Sequence, residues 1–294
     1  MQLPNALAQF VVQLEADGRS PSTVGQYHRH ISLLTRWASN QGLTADVSAI
    51  DHLLLAQFLC SPLANTRADG RPRKATSMNA LRSSVKGFFG YLHRAGVLAS
   101  DPSRLVRRAQ CGPAPLKSLT VYESDSLLGV LAERGPWEAQ RDRALFTLLL
   151  RTGLRLGSAL ALDIGDLDLV SGEIRFREGK WSRGGVAYLD KRTALELQRF
   201  VGERSTGALF TTAGGGRLSA RQVQRRLAAW LTKAGITRAY TPHSLRHTFA
   251  QRLYDRTHDL LLVKQALGHR SLSAALVYAE AGEGDLRLAI TGSR

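Results

Sequence analysis

From Asn5 to Ala16 the apolar residues Leu7, Phe10, Val11 and Leu14 recur at the three-and-four spacing of one helix face. Asp17-Gly18 ends that helix. Ser20-Pro21 opens the next, serine as the cap and proline at the first helical position. It runs to about Asn40, with Tyr27, Ile31, Leu34 and Trp37 or Ala38 along one stripe. A third helix fits Ile50 to Leu59, reaching Ser61-Pro62. A fourth, Met78 to Ala95, turns Leu81, Val85, Phe88, Phe89 and Leu92 inward. Residues 1–100 therefore read as a small four-helix domain, followed by a linker at 101–118 that is basic, proline-rich and without sustained period.

Past Thr120 helices are expected at about Val121–Ala132, Glu138–Arg151 and Leu156–Leu162. The period then switches from helical to alternating. Glu173 to Arg177 reads as a strand, Gly179 to Gly185 as a turn, and Val186 to Leu189 as the returning strand. Helices follow at about Thr193–Glu203 and Ser219–Ala234, then three short ones between Thr241 and Glu280, and a last short one in the tail. The fold class is mainly α: a four-helix domain, then a mostly helical domain at 119–294 with one small antiparallel sheet.

Charge changes what this architecture is expected to meet. Forty Lys plus Arg stand against 24 Asp plus Glu, a formal net charge of +16. A surplus of that size favours a polyanion, since each phosphate contact releases condensed counterions. The loop ANTRADGRPRKAT brings Arg71, Arg73 and Lys74 beside Arg82 and Lys86 of the fourth helix, a cationic edge suited to a nucleic-acid backbone. Solvated surface has the same composition. No apolar run approaches the roughly 20 residues of a spanning helix, and the N-terminus lacks the basic start of a secretion signal. Cys60 and Cys111 match no metal-ligand spacing and read as thiols in a reducing compartment. A cytoplasmic, membrane-free nucleic-acid-binding protein is expected.

The chemistry concentrates near the C-terminus. His243 and Arg246 lie one helical turn apart, so both can point into one cleft. Leu267-Gly268-His269 follows, and Tyr278 stands nine positions after that histidine. Upstream, Arg155 follows Thr152-Gly153-Leu154, and Lys180 sits at the hairpin turn. Taken singly, each has an ordinary use as packing, cap or solvated charge. Together they suit a phosphodiester: cations and donors for its oxygens, and a hydroxyl to attack phosphorus.

TGLR at 152–155, the hairpin lysine, HSLRH at 243–247, LGH at 267–269 and the later tyrosine resemble, in order and spacing, the catalytic domain of the tyrosine recombinases. SPSTVGQY at 20–27 and LRSSVKGFFGYLHRAGVLASDP at 81–102 are similar to the helical core-binding (SAM-like) domain of that family, which closes over the other face of the DNA. The resemblance implies a site-specific recombinase that cleaves and rejoins double-stranded DNA through a covalent 3′-phosphotyrosine and a Holliday junction. It implies Tyr278 as nucleophile, with Arg155 and Arg246 clamping the non-bridging oxygens and His269 donating to them. His243 is then the expected proton acceptor and Lys180 the general acid. No metal, cofactor or ATP is implied, because the phosphotyrosine keeps the bond energy for religation. The implied partner is DNA with two inverted half-sites, bound by a homotetramer on two paired sites, with the 285–291 tail docking on a neighbouring subunit. The layout is closest to compact Xer, integron or transposon-borne members without an arm-binding domain.

Three positions depart from the family pattern. Ser158 stands where a carboxylate is usual, GKWSRGGVAYL replaces the commoner hairpin and offers Arg183 as a second cation, and Ala274-Ala275 replace threonines. Ser158 is the one motivation for an alternative, a DNA-binding accessory protein without catalysis. A relative that relaxes supercoils or resolves hairpin ends by the same chemistry is the other. His247 reads as structural, and Tyr254 and His258 as packing or surface.

Overall fold

The computed structural model describes residues 1–43, 46–112, 117–131, 135–176, 184–268 and 272–279. Two compact units emerge, Met1–Ala114 and Pro115–Arg294.

In the first unit α1 (Leu3–Ala16), α2 (Pro21–Asn40), α3 (His52–Cys60), the single turn α4 (Pro62–Asn65) and α5 (Ala75–Arg94) enclose one apolar core. The starts follow local chemistry. Ser20 Oγ accepts from the Thr23 amide at 3.2 Å, and Asp51 Oδ1 accepts from Leu54 at 2.8 Å, each satisfying an otherwise orphaned helix donor. Phe10 sits at the centre, with Tyr27, Phe88 and Tyr91 rings at 5.3, 5.6 and 5.2 Å. Gly87 lets α5 approach α2, because a Cβ there would meet Tyr27 Cε1 at 2.9 Å. Beyond α5 the chain stays attached to this unit. Leu98 is buried in its core, and the Asn79 side chain donates to Ala109 O at 2.9 Å while accepting from the Ala109 amide at 2.8 Å. Both cysteines are free and exposed.

In the second unit the capping box of Thr120 and Glu123 starts α6 (Val121–Gly129). Then come α7 (Trp137–Thr152), α8 (Leu156–Ala161), β1 (Leu167–Asp168), β2 (Glu173–Phe176) and β3 (Gly185–Tyr188). The remaining helices are α9 (Lys191–Val201), α10 (Ala220–Lys233), α11 (Pro242–Thr257), α12 (Leu260–Leu267) and α13 (Ser273–Leu276). The sheet is antiparallel in the order β1-β2-β3, with Ile174 opposite Leu167 and Ala187. Gly185 faces Phe176, whose ring occupies the place a Cβ would take, at 2.7 Å from Cζ. The sheet contains one strand more than expected: β1 is too short to show alternation and exists through its pairing with β2. The first of the three helices expected after Thr241 is also not short, since α11 has 16 residues.

Helix α7 is the spine of this unit, buried on nearly every side and packed most extensively on α11. Its one buried carboxylate, Asp142, is held by Arg141 at 2.8 Å, by Arg226 and by Trp230 Nε1 at 2.8 Å, which ties α10 to α7. Leu197, Phe200 and Val201 close the same core from α9. A smaller cluster of Ala250, Leu253, Val263, Leu267, Ala275 and Tyr278 forms between α11, α12 and α13.

Among the described residues no helix is long and apolar enough to cross a membrane.

Candidate active site

Two helices end on glycine at the place where the motif residues meet. Gly153 terminates α7 with φ 64° and Gly268 terminates α12 with φ 61°, both left-handed conformations that glycine adopts without penalty. The last carbonyls of a helix lack intrahelical partners and carry its negative dipole end. Arg246, buried on α11, uses both: Nη1 donates to Gly153 O and Nη2 to Leu267 O, each at 2.6 Å. A single guanidinium thus joins the ends of α7 and α12 to the middle of the unit. No tighter arrangement is open at Gly153, where a Cβ would lie 2.3 Å from Phe249 Cδ1.

Arg155 caps the start of α8 and is exposed. His243, also exposed, lies on the first turn of α11. Its pKa is lowered, first by partial desolvation and then by the Arg246 and Arg155 charges, which places both guanidiniums within electrostatic reach of it. Tyr278 is only 2% exposed, and burial raises the pKa of its phenol while Arg246 works in the opposite direction. Arg155, His243, Arg246 and Tyr278 are therefore brought together. Lys180, His269, Arg183 and the tail at 285–291 lie outside the described residues. Ser158 is half-buried on α8, one turn beyond Arg155.

One contact was not expected from the sequence. His247 Nδ1, not His243, meets the Tyr278 hydroxyl, at 2.8 Å. The His243 ring packs edge-on against His247 with centroids 4.4 Å apart and makes no hydrogen bond to the tyrosine. The signal was the four-residue step from 243 to 247, which puts both imidazoles on one face of α11.

In the first unit Arg71, Lys74 and Lys86 are exposed. Arg73 and Arg82 are half-buried and partly committed to the protein, Arg73 Nε to Thr66 O at 3.1 Å and Arg82 Nη1 to Asn79 Oδ1 at 3.2 Å. The second unit adds Arg221 and Arg225, both exposed on α10 opposite its buried Val223, Leu227 and Leu231. Their run with Arg226 was visible in the sequence but was read only as a helix.

Residues 117–283 match the phage integrase family, and residues 7–96 match the phage integrase N-terminal SAM-like domain. The tyrosine recombinase XerC of Chromobacterium violaceum is 32% identical over 280 residues, 94% of this chain and 90% of the relative. Among solved structures, XerH site-specific recombinase bound to its difH substrate superposes with TM-score 0.71 at 23% identity, over 91% of this chain and 79% of that one. A lambda integrase from a tetramer bound to a Holliday junction gives TM-score 0.71 at 20% identity, over 92% and 78% of the two chains. By the family match across the unit that holds Arg246 and Tyr278, and by a relative similar along almost its whole length, the chain belongs to the phage integrase family of tyrosine recombinases, enzymes that cleave and rejoin DNA in site-specific recombination.

Proposed function

We propose that the chain recombines double-stranded DNA at a short site of two inverted half-sites, working as a homotetramer on two paired sites in the cytoplasm. The observation that carries this reading is the convergence of Arg155 and Arg246 on His243, with Arg246 also in electrostatic reach of the buried Tyr278 phenol. Each group then has one task. Tyr278 attacks phosphorus and keeps the 3′-phosphate as a phosphotyrosine. Arg155 and Arg246 neutralise charge that builds on the non-bridging oxygens in the transition state, with His269 as a further donor. The neutral form favoured at His243 suits a hydrogen-bond partner for a phosphate oxygen or for the hydroxyl proton. Lys180 protonates the departing 5′-oxygen. Arg71, Lys74 and Lys86, with Arg73 and Arg82 behind them, meet backbone phosphates. The XerH and lambda integrase structures are complexes with DNA, the latter a tetramer on a Holliday junction, which supports the partner and the assembly. The tail at 285–291 is the segment we assign to contact between subunits.

The test is covalent trapping. Half-sites are first selected by the chain from a randomised duplex library, then built into a nicked substrate from which the cleaved strand escapes. Wild type is expected to give a protein–DNA adduct and Tyr278→Phe none. A wild-type chain that binds its selected site and never forms an adduct refutes the reading.

A further inference from the structure

In the first unit α2 and α5 pack on each other, and neither helix contains an aspartate or a glutamate. The same two helices carry Arg29, Arg36, Arg82, Lys86 and Arg94. Within this carboxylate-free pair lies His30, half-buried on α2. Its Nδ1 meets the hydroxyl of Ser84, a buried residue of α5, at 2.8 Å. Ser84 Oγ donates its one proton to Ala80 O at 3.1 Å, so towards the imidazole it can only accept. Nδ1 therefore carries a hydrogen, and the neutral ring leaves a bare lone pair on Nε2. Among the described residues Nε2 has no hydrogen-bond partner, and it is not shut away from solvent.

The charges that act on this ring are positive. Burial disfavours the imidazolium first, then Arg29 of α2 and Arg73 of the loop before α5. From α5 the ring meets the Ser84 hydroxyl, and the neighbouring turn α4 has no ionisable side chain. The loop's one acid, Asp69, is paired with Arg67 at 3.2 Å. An imidazole so placed is a base without a counter-ion of its own. A phosphate from outside the chain supplies one.

We propose that His30 is a DNA-contacting residue of the first unit, whose imidazolium meets a backbone phosphate, so that one proton is taken up on binding. The inference rests on the reading that Arg71, Arg73, Lys74, Arg82 and Lys86 face DNA. In the free chain the pKa of His30 lies below its ordinary value, which keeps the ring neutral near pH 7. A phosphate against this edge offsets the Arg29 and Arg73 charges and attracts the imidazolium directly, so the pKa rises in the complex. The proton comes from solvent and returns there on release. It adds to Nε2 and leaves the Nδ1 bond to Ser84 in place, so the ring does not have to turn. The sign of the linkage is fixed by these shifts. Affinity is greatest below the free pKa, where the cation exists before binding, and least above the bound pKa. Between the two it falls as pH rises.

The experiment measures equilibrium binding of the selected duplex across about pH 5 to pH 8 at fixed ionic strength. The full chain carries Tyr278→Phe throughout, so that binding alone is read. His30→Asn and His30→Gln are compared with it after thermal melting has shown that they fold, the asparagine amide being able to donate to Ser84 Oγ in place of Nδ1. With His30 present, affinity is expected to rise by up to about tenfold for each unit fall in pH within the window, one proton's worth, beyond any rise in the variants. The salt dependence is expected to steepen by about one phosphate contact at the acid end, again only with His30. Variants that follow the same pH course as the His30 chain overturn the inference. So do variants weaker by one constant factor at every pH, because His30 then serves only the packing of α2 on α5. Lys74→Ala with Lys86→Ala keeps this failure apart from that of the underlying reading. If that double variant weakens binding while the His30 variants leave the pH course unchanged, the inference alone falls. If it too binds as before with the same salt slope, the placement of DNA on this edge falls with it.

Discussion

Gly153→Ala tests whether the end of α7 sets the position of Arg246. At φ 64° an alanine carries the left-handed penalty of about 1–2 kcal/mol. Its methyl would also fall 2.3 Å from Phe249 Cδ1 and 3.0 Å from Leu267 Cδ2. Neither neighbour can retreat freely, since Leu267 is buried and Phe249 packs against the cluster around Tyr278. Overpacking of this kind costs about 1–3 kcal/mol, so the two effects together reach about 2–5 kcal/mol. For a unit of this size that is a fall in Tm of roughly 4–20 °C. The function falls with it, because any shift of the Gly153 carbonyl removes the Nη1 partner of Arg246. A hydrogen bond to a charged group contributes about 1.5–3 kcal/mol. Thermal melting of the full chain and adduct formation on the nicked substrate are the two measurements. Gly42→Ala is the comparator, with nearly the same φ of 65° and nothing within 4 Å of its added Cβ, so it reports backbone strain alone. If Gly153→Ala is no more destabilising than Gly42→Ala, the steric part of the argument is wrong. If it melts early but cleaves at the wild-type rate, the link from Gly153 to Arg246 is wrong.

Two other perturbations address the second unit's spine and the edge of the first unit proposed to face DNA. Asp142→Ala removes the carboxylate that Arg141, Arg226 and Trp230 share and leaves Arg141 buried without its nearest counter-charge. Breaking such a pair costs about 3–5 kcal/mol, to be read by urea denaturation, and a loss under about 1 kcal/mol contradicts it. Lys74→Ala with Lys86→Ala removes two exposed cations from the first unit. If each meets one phosphate, the slope of log binding constant against log salt becomes shallower by about 2 while base preference is kept. An unchanged slope in gel-shift titrations assigns the DNA face elsewhere.

The parts of the fold that depend on neighbours in the chain were legible. Ser20-Pro21 starts α2 as written, with the serine oxygen on the Thr23 amide, and the alternation from Glu173 marks β2. Leu167-Asp168 was not legible, because two residues hold no period and their strand character comes wholly from β2 across the sheet. The active site divides along the same line. Helical spacing put His243 and Arg246 toward one cleft, and the family resemblance added Arg155 and Tyr278 to the expected site. The contact of His247 with the tyrosine hydroxyl was not anticipated, since adjacency to Arg246 made His247 look like a structural neighbour. Helix periodicity was the better guide: residue 247 shares the face of 243 rather than that of 246.

The glycines of the two motifs tie those short segments to the distant Arg246. A guanidinium buried away from water needs acceptors for its donors. Backbone carbonyls at helix ends satisfy the donors while leaving the net charge in place. Both ends must then turn away sharply to expose those oxygens, and the left-handed Gly153 and Gly268 make that turn. TGLR thus does two things, carrying Arg155 and holding Arg246 by the oxygen of Gly153, while LGH holds the same guanidinium by the oxygen of Leu267. A planar fork can meet carbonyls of two different helix ends at once, which a lysine at position 246 could not do.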